Sequence, residues 1–276
     1  MSFEEKWGYF NQYAQFNSRL KWVPLALSFI KNNAPQGTVE FSFKSINQDI
    51  YFSRLNIKLK SNHRAYYEQW YQNILEIGKR CQISWPDNKI RSFFNNLDWS
   101  LCESFFGGFD LRPNLEESRL KVWCTFRSDK KTIQKIIKHC PFDRDLLSPY
   151  WEKYASNYIL MGWIYNLKGE VSWRVYPGEI PSTCLMGESQ NHVIQKLGLH
   201  SGIMSSTWPA SQSAIYWGDI KDTQGFLKEL APLLSSDRAI DLVHEFQKNG
   251  LTLCNVCTTL PLTKNDKIIK ANFYFK

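Results

Sequence analysis

Polar and aromatic side chains share one face of several alternating segments of the chain. In the segment 38–44, Glu40, Ser42 and Lys44 fall on one face, opposite the apolar Val39 and Phe41. Three further segments and one aromatic pair show the same grouping: Phe52, Arg54 and Asn56; Arg119, Lys121, Trp123 and Thr125; Ser172, Arg174 and Tyr176; and Tyr216 beside Trp217. Cations next to aromatic rings are suited to a ligand with an anionic head and an apolar or cationic body.

These charges admit two interpretations. They are solvated positions outside the molecule, or they face an interior where each cation needs a partner. Few acidic residues, chiefly Glu40, fall on the same face as these cations. A bound anion would therefore neutralise the remaining positive charge. The formal net charge of +8 and the pI of about 9.0 agree with an anionic partner. Charge alone leaves nucleic acid, a membrane surface and a phosphate-bearing substrate open.

Aromatic residues make up 15% of the chain, more than a core requires, so we expect some of them to line a site. An allylic diphosphate fits such a site. Cations would hold its diphosphate, and ring faces would stabilise the carbocation that forms when the diphosphate leaves.

The elements that must position these residues are hairpins separated by helices. Period-two alternation predicts ten antiparallel strands, at about 38–44, 49–58, 103–111, 118–126, 158–167, 170–176, 201–207, 213–219, 251–258 and 267–275. Helical spacing predicts helices from about residue 3 to 14 and at 19–32, 63–80, 130–139, 146–154, 190–197, 223–231 and 235–248. Ten strands can close into a barrel too wide for core side chains to fill, so its lumen is a natural ligand cavity. An open sheet covered by helices is the alternative.

Length, hydropathy and cysteine content set further expectations. We expect residues 1–276 to form one α/β domain. No apolar run is long enough to span a bilayer, and the first residues lack a signal-peptide pattern, which indicates a cytoplasmic protein. Seven scattered cysteines indicate reduced thiols rather than a disulfide framework. Cys254 and Cys257 have metal-ligand spacing but no second pair nearby, so we expect ordinary strand thiols and no protein-bound metal.

The segment Gly108–Lys121 carries a specific resemblance. It resembles the G-x-D-L-R-x-N-L-x-E-S-x-L-K signature of the cyanobactin peptide prenyltransferases. The segment Val39–Lys44, with Arg54 fourteen residues after Glu40, is similar to the first hairpin of that family. Weaker similarities occur at Gly162, at the Lys168-Gly169 turn with Tyr176, at Ala214–Trp217 and at the aromatic end Asn272–Lys276.

The resemblance implies an ABBA-type barrel of ten antiparallel strands ringed by helices. It implies transfer of an isoprenoid from its diphosphate to a side chain of a ribosomal peptide, macrocyclic or linear, with Mg2+ held by the donor diphosphate. The acceptor is left open among Tyr, Trp, Arg, His and Ser/Thr. The expected partners are these two substrates, without nucleic acid, and the protein is expected to be a monomer. The chain has no DDxxD segment, which argues against the helical isoprenoid synthases.

The resemblance also implies roles for individual residues. Glu40 would take the acceptor proton, Arg54 and Lys121 would hold the diphosphate, and Tyr176 and Tyr216 would shield the allylic cation. The face pattern adds Arg174 to the diphosphate site. Trp123 and Phe273 are expected to join the shielding rings.

In this family one position on the seventh strand sets the depth of the isoprenoid pocket. Counted back from Tyr216, it falls at Ile203 or Met204, both bulky, which indicates dimethylallyl diphosphate (C5) as donor. The small neighbours Gly202, Ser205 and Ser206 keep geranyl diphosphate (C10) as an alternative. The same residues are also compatible with a non-catalytic barrel that carries a lipid or nucleic acid, and with an inactive member of the family.

Overall fold

The fold is described from a computed structural model. It describes residues 2–14, 22–33, 37–60, 64–80, 88–110, 118–139, 158–166, 171–176, 179–181, 201–208, 213–218, 220, 222–260 and 267–276. Within these ranges only the backbone is described for residues 14, 22–23, 53, 60, 64–66, 88–91, 158, 173–176, 179–181, 201–208, 213–218 and 259–260. The helices predicted at 146–154 and 190–197 lie outside the described residues.

The described strands follow the predicted hairpins closely. They are β1 (Gly37–Ile46), β2 (Asp49–Lys60), β3 (Cys102–Asp110), β4 (Arg119–Arg127), β5 (Tyr158–Asn166), β6 (Val171–Tyr176), β7 (Glu179–Pro181), β8 (Ser201–Trp208), β9 (Ser213–Gly218), β10 (Leu253–Leu260) and β11 (Lys270–Phe275). The three-residue strand β7 is the one described strand that the alternation pattern did not predict.

The strands form one closed antiparallel sheet. Their order is β6-β5-β4-β3-β2-β1-β11-β10-β9-β8-β7, and β6 also pairs with β8. β7 pairs with β8 at residues 201–203 and β6 pairs with it at residues 206–208, so the two share one edge of β8 and one position in the ring. The sheet is therefore a barrel with ten strand positions, which confirms the predicted fold class.

Seven α-helices are described in the chain ranges given above. They are α1 (Phe3–Ala14), α2 (Trp22–Asn33), α3 (Arg64–Arg80), α4 (Asn88–Asn95), α5 (Lys130–His139), α6 (Thr223–Leu230) and α7 (Arg238–Lys248). Pro24 lies in the first turn of α2, where its missing N–H leaves no helical bond unmade. Helix α4 was not predicted; its Phe93 and Phe94 pack against Trp163 of the sheet. No described helix combines the length and the apolar character that a membrane crossing requires.

The hydrophobic core lies between the helices and the outer face of the barrel. Phe41 of β1 packs against Phe10 of α1, and Phe43 packs against Phe246 of α7. The outward residues of β4 and β5, among them Val122 and Trp163, are also buried in this core. Because successive strand residues point to opposite faces, the alternate residues of these strands face the lumen.

The pairing of β1 with β2 departs from simple alternation. Its register shifts between Ser42, which pairs with Arg54, and Phe43, which pairs with Phe52. This β-bulge places Ser53 as an extra residue in β2, so Phe52 and Arg54 fall on opposite faces. Phe52 contacts Phe10 and Phe246 on the helix side, and the expectation that it faces inward with Arg54 is wrong.

Candidate active site

Strand register brings the predicted acid and two predicted cations to one face of the barrel wall. Glu40 of β1 pairs with Asn56, Asn56 with Gly108, and Gly108 with Lys121. Arg54 lies two residues before Asn56, so it shares this face. It is the lumen face, because the residues that alternate with these are buried under the helices.

A buried carboxylate joins the two cations. Arg54 Nε lies 3.3 Å and Lys121 Nζ lies 3.2 Å from the same oxygen, Oδ2 of Asp110. The exposed fractions of the three side chains are 11% for Arg54, 8% for Lys121 and 1% for Asp110. Arg54 Nη1 also donates a hydrogen bond of 3.2 Å to the Tyr274 hydroxyl of β11. The guanidinium is thus held from two sides.

The sequence pattern does not assign a function to Asp110. The lumen face of the barrel therefore holds a second acidic residue, besides Glu40, that was not predicted. One signal was present, because Asp110 stands two residues after Gly108 and so on the same strand face. The register between β2 and β3, which places Asp110 directly opposite Arg54, is not set by a hairpin turn.

Among the described side chains, two cations of this cluster share one carboxylate. Lys44, also buried, lies on the same face of β1. Burial is the largest influence on the pKa of Arg54 and acts to lower it, but Asp110, with smaller contributions from Tyr274 and Cys257, raises that pKa above its ordinary value. Burial lowers the pKa of Lys121 well below its ordinary value; Arg54 adds to this effect and Asp110 opposes it. An anionic ligand would relieve the mutual repulsion of the cations.

Glu40 has the properties of a proton acceptor. It is partly buried, and burial raises the pKa of its carboxyl above the ordinary value, while Lys58 and Lys276 partly offset that rise. The Lys58 ammonium lies 4.7 Å from the centre of the Phe106 ring on β3. A carboxylate with a raised pKa is a stronger base than an exposed one.

Trp123 lies across a glycine of the neighbouring strand. It pairs with Gly162, and a Cβ atom at position 162 would stand 2.1 Å from Trp123 Cε3. The absence of a side chain at Gly162 therefore gives the indole its place on the lumen face. Trp123 is partly exposed and presents a ring surface in the wall that also carries Lys121. The shielding role expected of Trp123 stays a prediction.

Phe273 does not face the lumen. Its ring stacks on Phe43 with centroids 4.8 Å apart, and it is fully buried in the core on the helix side. The expectation that Phe273 shields the isoprenoid does not fit this position. Its neighbour Tyr274, which accepts the hydrogen bond from Arg54, is the aromatic residue that β11 contributes to the inner face.

Further predicted residues lie in stretches of β6, β8 and β9 of which only the backbone is described. Arg174 pairs with Gly162, and Tyr176 pairs with Leu160. Ile203 pairs with Tyr216, whereas Met204 pairs with Ile215. Strand pairing therefore places all of these positions in the wall of the barrel. Their side chains are not among those that the structure describes.

The described residues do not supply a metal site. No group of three His, Cys, Asp or Glu side chains in the described ranges could hold a metal ion. Neither Cys254 nor Cys257 forms a disulfide bond, and Cys254 Sγ donates to the Tyr274 carbonyl at 3.1 Å. Burial, followed by the charge of Glu40, raises the pKa of Cys254 to about 12, so the thiol is a weak metal ligand at neutral pH.

Comparison with known proteins identifies structural relatives only. No protein-family profile matches the sequence, and no curated protein matches it. Among solved structures, a 6-dimethylallyl tryptophan synthase covers 99% of this chain and 94% of its own, at a TM-score of 0.63 and 10% identity. NotF in complex with brevianamide F and DMSPP covers the same fractions, at a TM-score of 0.62 and 11% identity.

A third structure agrees with these two. The 6-dimethylallyltryptophan synthase from Micromonospora olivasterospora, in complex with DMASPP and Trp, covers 86% of this chain and 81% of its own. Its TM-score is 0.56 and its identity is 12%. Similarity over nearly the whole chain at such low identity establishes the architecture. The chain has the fold of the ABBA-type prenyltransferase barrels.

Proposed function

We propose that this protein is a peptide prenyltransferase that moves a dimethylallyl group from its diphosphate to a side chain of a ribosomal, macrocyclic or linear peptide. The observation that carries the proposal is the placement of Glu40 on the same lumen face as the buried pair Arg54 and Lys121. The fold supports prenyl transfer, and the resemblance of the segment Gly108–Lys121 to the cyanobactin enzymes supports a peptide acceptor.

Each part of the site has a task in the transfer. The bond between the allylic carbon and the diphosphate oxygen breaks, and the diphosphate leaves with the electron pair. Arg54 and Lys121 bind the departing oxygens through charge-assisted hydrogen bonds. The Ser42 hydroxyl is buried opposite Arg54 without a hydrogen-bond partner among the described residues, so it can donate to the same group.

The acceptor then forms the new bond. A heteroatom or ring carbon of the peptide side chain attacks the allylic carbon, and the proton that it loses passes to Glu40. Trp123 shields the cation, and we assign Tyr176 and Tyr216 the same role and Arg174 a diphosphate contact. Ring faces stabilise positive charge without reacting with it.

The register favours Ile203 over Met204 as the residue that limits donor length. Directly opposed residues of an antiparallel pair share a face, and Ile203 is the partner of Tyr216. A bulky side chain at this position supports the C5 donor. Geranyl transfer by the same fold is the alternative, and competition between the two diphosphates in one reaction separates them.

The acceptor class rests on the resemblance. The solved relatives are named for tryptophan or contain brevianamide F, so free tryptophan is the second candidate acceptor. Cyclic peptides that differ in one residue, together with tryptophan, distinguish the two classes when product mass is measured. Transfer to tryptophan alone would contradict the peptide proposal.

Mg2+ enters the proposal only through the donor. The described residues do not form a cluster that fits a protein-bound metal, because Asp110 already pairs with two cations. The ion would neutralise charge on the diphosphate oxygens. Titration with a chelator tests this part.

A non-catalytic carrier barrel would behave differently in solution. A nucleic-acid carrier would bind with a steep salt dependence and would not consume dimethylallyl diphosphate. Release of inorganic diphosphate only when an acceptor is present excludes a carrier.

A further inference from the structure

We propose that Asp110 is a positioning residue that holds Arg54 and Lys121 together as a single charged binding site for the donor's diphosphate. This inference rests on the proposed function. It assigns to a carboxylate inside an anion site the task of arranging the two cations, without contact between the carboxylate and the substrate.

The geometry explains why a carboxylate belongs in an anion site. Asp110 Oδ2 accepts from Arg54 Nε at 3.3 Å and from Lys121 Nζ at 3.2 Å. Arg54 donates through Nε to Asp110 and through Nη1 to the Tyr274 hydroxyl, so the orientation of the guanidinium plane is fixed. A preorganised guanidinium loses less conformational entropy when it binds an oxyanion.

The second effect of Asp110 is on the charge of Lys121. Among the side chains that the structure describes, the charged groups that act on Lys121 are Arg54 from β2, Asp110 from β3 and Arg119 from its own strand, and its partner on β5 is the apolar Ile164. Of these groups, only Asp110 favours the ammonium form. Without the Asp110 charge, Lys121 would lose its proton at lower pH, and the site would lose one of its two cations.

The effect of Asp110→Asn on the affinity for diphosphate is expected to change sign between acidic and alkaline pH. At acidic pH we expect Lys121 to be protonated with or without Asp110, and the amide oxygen of Asn can still accept from Arg54. Asp110→Asn then removes a repulsive negative charge, and inorganic diphosphate is expected to bind as well as or better than to the wild type. At alkaline pH Lys121 is neutral in the variant, and affinity falls by about 10- to 150-fold, the equivalent of one charge-assisted hydrogen bond.

The experiment measures binding of inorganic diphosphate to the full chain by calorimetry at a series of pH values, from acidic to alkaline, at which the protein stays folded. The ratio of variant to wild-type dissociation constants at each pH cancels the titration of the ligand itself. The matched control is Glu103→Gln, on the same strand β3, which breaks an exposed ion pair with Arg127. Its ratio is expected to stay near one at every pH.

A double variant tests whether the lost affinity is due to the charge of Lys121. Asp110→Asn combined with Lys121→Arg is expected to regain alkaline affinity, because a guanidinium stays charged without Asp110. If Asp110→Asn does not fold, Asp110→Glu serves instead. Glu keeps the charge, so its ratio to wild type is expected to be independent of pH, and a pH-dependent ratio would overturn the inference.

Three results decide the matter. A ratio for Asp110→Asn that equals one throughout overturns the positioning role, and a ratio that is raised equally at all pH values overturns the effect of Asp110 on the charge of Lys121. The failure of the wild type to bind diphosphate overturns the proposed function and this inference with it. Prenyl transfer by the wild type together with no crossover in Asp110→Asn overturns the inference alone.

Discussion

Adding one methyl group at Gly162 is expected to displace Trp123 from the barrel wall. The Cβ of Gly162→Ala would stand 2.1 Å from Cε3, 2.2 Å from Cζ3 and 2.5 Å from Cδ2 of the indole. These atoms belong to the rigid ring rather than to the end of a flexible chain, so the whole ring must move. Overpacking of this kind costs about 1–3 kcal/mol of unfolding free energy.

The direction in which the Trp123 ring moves determines how much activity is lost. Trp123 is partly exposed on the lumen face, so its ring can move into the cavity, and we expect the stability loss to lie near the lower end of that range. The ring then occupies space needed by the isoprenoid. A displacement of this size is expected to lower kcat/KM for dimethylallyl diphosphate by about 10²-fold.

Urea unfolding and steady-state kinetics measure the two effects. Gly8→Ala is the control, because position 8 of α1 has open space around it, and alanine is expected to raise helix stability by about 0.5–1 kcal/mol there. Pairing Gly162→Ala with Trp123→Leu is expected to recover the lost stability by removing the clashing ring. Wild-type stability and kinetics in Gly162→Ala would show that the indole does not lie on Gly162.

Further substitutions test the other parts of the site. Glu40→Gln is expected to keep donor binding and lose about 10²- to 10⁴-fold in turnover, because an amide cannot accept the acceptor proton; near-normal turnover would remove Glu40 from this role. The wild-type rate should rise with pH through the raised pKa of Glu40, since the base must be ionised, and the Gln variant should lack this limb. Burial of the ionised carboxylate costs stability above that pKa, so Glu40→Gln is expected to unfold at higher temperature than wild type at neutral pH, and the advantage should vanish in acid. Arg54→Ala and Lys121→Ala should each weaken diphosphate binding by about 1.5–3 kcal/mol in a titration, and unchanged affinity in both would refute the lumen assignment. Ile203→Gly should gain geranyl transfer in a competition assay, whereas a gain in Met204→Gly instead would assign the floor to Met204.

Sequence patterns predicted the strands well because each hairpin is encoded locally. Alternation and a short turn are enough to place Glu40 and Arg54 on adjacent strands. The position of Phe52 was missed because a β-bulge shifts the register by one residue. The shifted register places Phe52 against Phe10 and Phe246, two residues that are distant in sequence and that a local pattern does not reveal.

Other parts of the site depend on contacts between separate hairpins. The Asp110 pairing with Arg54 requires the β2–β3 register, and the long connection between Lys60 and Cys102, which contains α3 and α4, does not fix it. The observed register comes from the two strand faces instead. At the chain end, Phe273 and Tyr274 alternate, so both faces of β11 carry aromatic rings. The pattern therefore could not show which ring faces the lumen.

The most direct test of the central claim combines dimethylallyl diphosphate with cyclic peptides that each present one candidate acceptor residue. We expect the wild type to add one dimethylallyl group to at least one peptide and to release inorganic diphosphate in equal amount, and we expect Glu40→Gln to bind the donor without transfer. Mass spectrometry of the peptides and a diphosphate assay read both products. Donor that binds but is never transferred to any peptide or to tryptophan would contradict the account.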